Sequence, residues 1–181
     1  EKFVRKCEKL PKKKQNAMLM LHQTQRLITL ADDIYKIRPR DSLRVLFLII
    51  CAEVVAKLYK NFAGEGKVYE HVKVFFTKLC RLGDMKFLDN AFYIQTIEKR
   101  NKKGLCFNQV IDYLYKIRCD VVHEGCYWEF SFNRPGIQET ATPNFRKHEL
   151  VYSKITYDVL RNIVIRGAIR AIDDYIRNSE A

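Results

Sequence analysis

The chain has 181 residues, 48% of them hydrophobic, and a net charge of +12. That is ample apolar material for one domain with a sizeable core, and it excludes a scaffold that depends on dense disulfides. The longest apolar run, Val45 to Ala52, is broken by Glu53 and is far too short for a membrane span, whereas the basic balance favours a polyanionic partner, nucleic acid before an anionic membrane surface.

The first fourteen residues, "EKFVRKCEKLPKKK", hold seven basic and two acidic side chains. They read as a basic N-terminal segment, 1–14, the one detachable part of the chain. Residues 15–181 read as a single helical domain. Its 3.6-residue periodicity predicts a first helix over about 15–37 that stops before Pro39. A second helix, about 43–61, starts at an Asp41 or Ser42 cap. It is apolar nearly all round, which predicts a central, buried position. A third covers about 67–80 after the "GEG" break, and a fourth about 84–101, ending in the basic run "EKRNKKG". A fifth, about 107–124, stops at Gly125.

The pattern then changes. "CYWEFSF" alternates, with Trp128, Phe130 and Phe132 on one side, as a strand does. "NRPGIQETATPN" is turn material and "HELVYSKI" is a returning strand, so 126–155 reads as an inserted β-hairpin. The last helix, about 156–178, carries Leu160, Val164, Ala168, Ala171 and Tyr175 on one face. Gly167 on it would let a neighbour approach closely. The expected fold is all-α, a bundle of five to six helices with a small β-hairpin insertion before the last one.

None of the six cysteines forms a C-x-x-C pair, so reduced thiols in a cytoplasmic protein are expected. His22, His71, His123 and His148 are scattered without metal-ligand spacing, and no glycine-rich phosphate loop follows a strand. No metal and no cofactor are therefore expected. No signal-peptide pattern is read, and the chain begins at Glu1 without a methionine, as a fragment of a longer protein would.

The informative stretch is "YLYKIRCDVVHEG", Tyr113 to Gly125. On a helical wheel Val110, Leu114, Ile117 and Val121 form an apolar stripe, and Arg118 falls inside that arc. His123 lies roughly 140° away, in the last turn. A core-facing arginine needs a partner, because an unpaired buried charge is very costly. Glu53, interrupting the apolar second helix, has the opposite need. One reading is a structural Glu53–Arg118 ion pair with a solvated His123 that suits the helix dipole. The other places Arg118 at the edge of a cleft with His123 close by, from the same chain or a symmetry mate.

"IRCDVVHEG" resembles the signature of the HEPN superfamily, the higher-eukaryote and prokaryote nucleotide-binding domains. Those are compact helical bundles with an R-x(4–6)-H motif near the end of a late helix. Arg118, four residues and His123 match the shortest spacing. "VVH" leading into the histidine and the glycine two residues after it are similar to the family's surroundings, and the acidic residue in "IICAEVVAKLY" is similar to its abortive-infection branch. Active members often have a polar residue directly after the arginine; here Cys119 stands there and Asp120 follows. Gly125 stands where tyrosine-modified toxin variants carry their tyrosine.

The resemblance implies catalytic roles for Arg118, His123 and Asp120, with Glu53 as structural support. It also implies a metal-independent RNA endonuclease acting as a homodimer, in a toxin–antitoxin or antiphage setting, with an antitoxin or another protein as partner. In that chemistry the 2′-hydroxyl of RNA attacks the adjacent phosphate. An imidazole, with an unperturbed pKa near about 6.5, can move the proton, and a guanidinium can hold the extra charge on phosphorus. Lys99, Arg100, Lys102 and Lys103, with Lys12, Lys13 and Lys14, would hold the RNA backbone. A non-catalytic module of the same fold binding RNA, nucleotide or a protein, and a dimeric scaffold piece of a larger protein, remain open alternatives.

Overall fold

A computed structural model describes residues 2–8, 15–36, 40–96, 101–144 and 148–178. Among them run seven α-helices: α1 (Lys2–Glu8), α2 (Gln15–Asp33), α3 (Asp41–Tyr59), α4 (Val68–Val74), α5 (Leu82–Leu88), α6 (Phe107–Glu124) and α7 (Tyr157–Asn178). A 3₁₀ turn, Ile34–Lys36, extends α2, and a π-helical turn, Phe75–Leu79, extends α4. Four short strands, β1 (Phe92–Thr96), β2 (Lys103–Gly104), β3 (Thr140–Asn144) and β4 (Glu149–Ser153), form one antiparallel sheet in the order β2-β1-β4-β3. The chain is mostly helical, but it is not all-α.

The centre of the bundle is α3. Val45, Leu48, Ile49, Cys51, Ala52, Val55 and Ala56 are all fully buried, and the helix packs against α2, α4, α6 and α7. Its apolar residues on every side are what such a position requires. The first part of the basic N-terminal segment is not detached, because α1 packs on α2 and Cys7 is fully buried.

Gly167 on α7 meets the π-helical turn. A Cβ built there would lie 2.6 Å from Cζ of Phe75, a fully buried ring. A surface glycine-to-alanine change in a helix gains up to about 1 kcal/mol. Here the ring has nowhere to go, so Gly167→Val is expected to lower stability by about 2 kcal/mol or more in urea titration.

Two predicted elements differ from those observed. The fourth predicted helix, 84–101, ends at Leu88, where Asp89 turns extended and Asn90 takes a left-handed φ of 59°. The aromatic and β-branched run "FYIQT" then pairs with β4 along its whole length. Tertiary pairing outweighed a weak helical period. The predicted hairpin is real only in its second half. Its other strand is β3, "TATPN", and not "CYWEFSF". Pro143 made β3 read as a turn, but β3 is an edge strand, where a missing N–H is tolerated.

"CYWEFSF" instead runs as an extended seam between bundle and sheet. Phe130 and Phe132 are buried, but Trp128 is 57% exposed. The Phe132 N–H donates to Asp41 Oδ2 at 2.9 Å, and the Asn133 N–H to the Ile155 carbonyl at 2.8 Å. These bonds satisfy two N–H groups at its end without a ladder. A chain of rings follows: Tyr113 on Phe92 at 5.3 Å, Phe92 on Phe130 at 6.0 Å, Phe130 on Phe132 at 4.9 Å, and Phe132 on Tyr157 at 5.6 Å. It ties β1, α6, the seam and α7 together.

Candidate functional site

The helix that carries the motif is closely specified at both ends. Cys106 caps α6, with its N–H donating to Gln109 Oε1 at 3.1 Å, and the Phe107 N–H donates to Asp89 Oδ1 at 2.8 Å. Gly125 ends it in the left-handed region, at φ 64°. The N–H groups of Gly125 and Cys126 both donate to the Asp120 carbonyl.

Arg118 and Glu53 come together as the wheel requires. Arg118 Nη2 lies 4.0 Å from Glu53 Oε2, and the two side chains are 16% and 18% exposed. The contact is loose. Burial pushes the Glu53 carboxyl above its usual range, outweighing the attraction of Arg118 and Lys57. Arg118 Nε is buried with no hydrogen-bond partner, and its guanidinium stands 5.9 Å from the Tyr115 ring centroid. The guanidinium therefore keeps donor capacity beyond Glu53. Five residues further, His123 is exposed in the last turn of α6.

Asp120 lies apart from this pair. Its carboxylate accepts from Lys116, and it lines a cavity of about 10 Å³ with Ser42, Tyr113, Ile117, Cys126 and Phe130. That space holds one water at most. Asp120 supports the end of α6 through its carbonyl and its Lys116 contact. Cys119 is half-buried, and Tyr115, one turn back, has its phenol pKa raised by burial first and a hydrogen bond with Cys119 second.

The basic cluster divides. Lys99 and Arg100 lie outside the described residues, as do Lys12, Lys13 and Lys14. Lys102 is paired with Glu139, and its Nζ sits 3.7 Å above the Tyr152 ring, so it fastens the sheet. Lys103 is exposed on β2. Neither closes a helix, contrary to the sequence reading.

Among the described residues, no group of three or more His, Cys, Asp or Glu is placed to hold a metal ion. All six cysteines are free thiols, and no described helix is long and apolar enough to cross a membrane.

His71 is the buried histidine. It packs on Phe62 at 4.9 Å, and neither ring nitrogen has a partner. Burial, then Lys60 and Lys57, pushes its pKa below the ordinary value. The unfolded chain therefore takes a proton near pH about 6.5 that the folded chain still refuses. Stability should be full above that pH and fall as pH drops toward the folded pKa. Melting temperature measured from pH 7.5 to 5 should show the loss, and His71→Phe should flatten it.

A second group of residues escaped the sequence reading. A cleft of about 820 Å³ lies at the start of α3 and α7, lined by Asp32, Arg40, Arg44, Arg134 and Tyr157 among others. Its signal was present: Arg44 interrupts the apolar α3 as Glu53 does, three residues after Asp41.

The chain matches no family model, no curated protein and no solved structure.

Proposed function

We propose that the chain is a metal-independent RNA endonuclease of HEPN type, acting as a homodimer in a toxin or antiphage-defence system. The observation that carries the reading is that one well-capped helix ends with both an exposed His123 and, five residues before it, a half-buried, incompletely partnered Arg118. The net charge of +12 supports an RNA partner. In the reaction His123 takes the proton of the 2′-hydroxyl as its oxygen bonds to phosphorus. The bond to the 5′-oxygen breaks, and that oxygen leaves with a proton from the second protomer's imidazole. Arg118 donates to the phosphoryl oxygens as charge builds on them. Asp120 acts by holding the helix end, not by touching RNA.

The purified chain should cut single-stranded RNA in excess EDTA and spare DNA of the same sequence, which lacks the nucleophile. Equal cutting of both, or cutting that needs added metal, sinks the reading. A non-catalytic binding module is favoured by one observation, the engagement of Arg118 by Glu53 and of Asp120 by Lys116. Salt-dependent RNA binding without any cleavage would select it.

A further inference from the structure

The cleft at the start of α3 has carboxylates that are largely spoken for and, in Arg44, a buried guanidinium with an unmet donor. Asp32 accepts from Tyr157 Oη at 2.6 Å and from Arg161 Nε and Nη2, both at 2.9 Å. Burial pushes its pKa up, but the Arg161 and Tyr157 hydrogen bonds outweigh that and hold it below the usual value. Asp41 accepts from the Phe132 N–H.

Arg44 is only 8% exposed, and its guanidinium carbon stacks 3.2 Å from the Tyr157 ring centroid. Its contact with Asp41 is long, at 3.5 Å, and its Nε has no hydrogen-bond partner. A buried guanidinium with unmet donors is costly, and an acceptor entering the cleft relieves that cost.

Two features define the acceptor. Arg134, exposed, also lines the cleft, and its N–H is fixed by Asn133 Oδ1 at 3.0 Å. Two guanidiniums suit a phosphate, which takes their paired donors. Tyr35, also lining the cleft, is 76% exposed; the Arg44 guanidinium carbon stands 5.1 Å from its ring centroid and most of the ring is left open. Planar rings stack on such faces. The volume is that of a small-molecule site. The exposed Asp158 at the same cleft disfavours a polyphosphate.

We propose that this cleft binds a phosphate monoester carrying a planar ring, a nucleoside monophosphate, with the phosphate on Arg44 and Arg134 and the base against Tyr35. The ligand is either a free nucleotide or the 5′-phosphorylated end of an RNA. The site is separate from Arg118 and His123 and does not depend on their role.

Calorimetric titration in EDTA tests it, using AMP, adenosine, inorganic phosphate, and one RNA oligonucleotide with and without a 5′-phosphate. The RNA arms are run in His123→Ala. AMP should bind and adenosine should not. Arg134→Ser should weaken AMP by about tenfold or more at unchanged melting temperature, since a charge-assisted bond is lost from an exposed residue. Tyr35→Ser should weaken AMP and leave inorganic phosphate unaffected. His123→Ala should bind AMP as the native chain does. A 5′-phosphorylated oligonucleotide that binds more tightly than AMP identifies an RNA end, and equal or weaker binding identifies the free nucleotide. Arg44→Ala is less clean, because it also removes the stack on Tyr157. No AMP binding, or AMP binding indifferent to Arg134→Ser, overturns the proposal.

Discussion

Purified His123→Ala is expected to lose RNA cleavage by at least about a hundredfold, the usual scale for removing a general acid–base. It should melt within about 4 °C of the native chain. The side chain is exposed in the last turn of α6, so its removal opens no cavity. The stability at risk is the attraction between a charged imidazole and the helix end, at most about 1 kcal/mol. Arg118→Ala is the weaker test of chemistry. It strands Glu53 beside the core, although burial already raises that carboxyl's pKa and lets it take up a proton instead. The loss should therefore be smaller than the 3–5 kcal/mol or so of a fully buried pair. Near-native cutting by His123→Ala would assign the activity elsewhere.

Phe130→Ala is expected to cost about 3–5 kcal/mol in chemical denaturation, and Trp128→Ala within about 0.5 kcal/mol of nothing. The two residues alternate in the same stretch, and sequence reasoning put them on one face. The structure separates them. Phe130 is buried between Phe92 and Phe132, whereas Trp128 is mostly exposed. Equal effects would mean that the seam between bundle and sheet is not where the rings place it.

The helical half of the fold was legible because its signals are local. Gly125 ends α6, and the all-round apolar sequence of α3 marks the centre. Gly167 announced a close approach, and the Phe75 ring fills it. The opposite charges of Glu53 and Arg118, each on an apolar helix, predicted their own pairing. The sheet was not legible, because its pairs are remote in sequence. β1 is held by β4 more than fifty residues later, and β3 survives Pro143 only by being an edge. Asp120 also has a contact that the sequence reading did not give. Its position beside the motif suggested chemistry, but its neighbour is Lys116, one turn back on its own helix. The arginine cleft depends on four separate segments meeting, of which only Arg44 left a trace in the sequence.

The most direct test of the catalytic reading is mass spectrometry of the RNA products' 3′ ends, made in excess EDTA by the native chain and by Cys119→Asn. The second chain replaces a weak hydrogen bonder beside Arg118 with a strong one. A 2′-hydroxyl nucleophile predicts 2′,3′-cyclic phosphate ends from both, with faster release from Cys119→Asn. Products ending in 3′-hydroxyl, or no product from either chain while fold and dimer are intact, would contradict it.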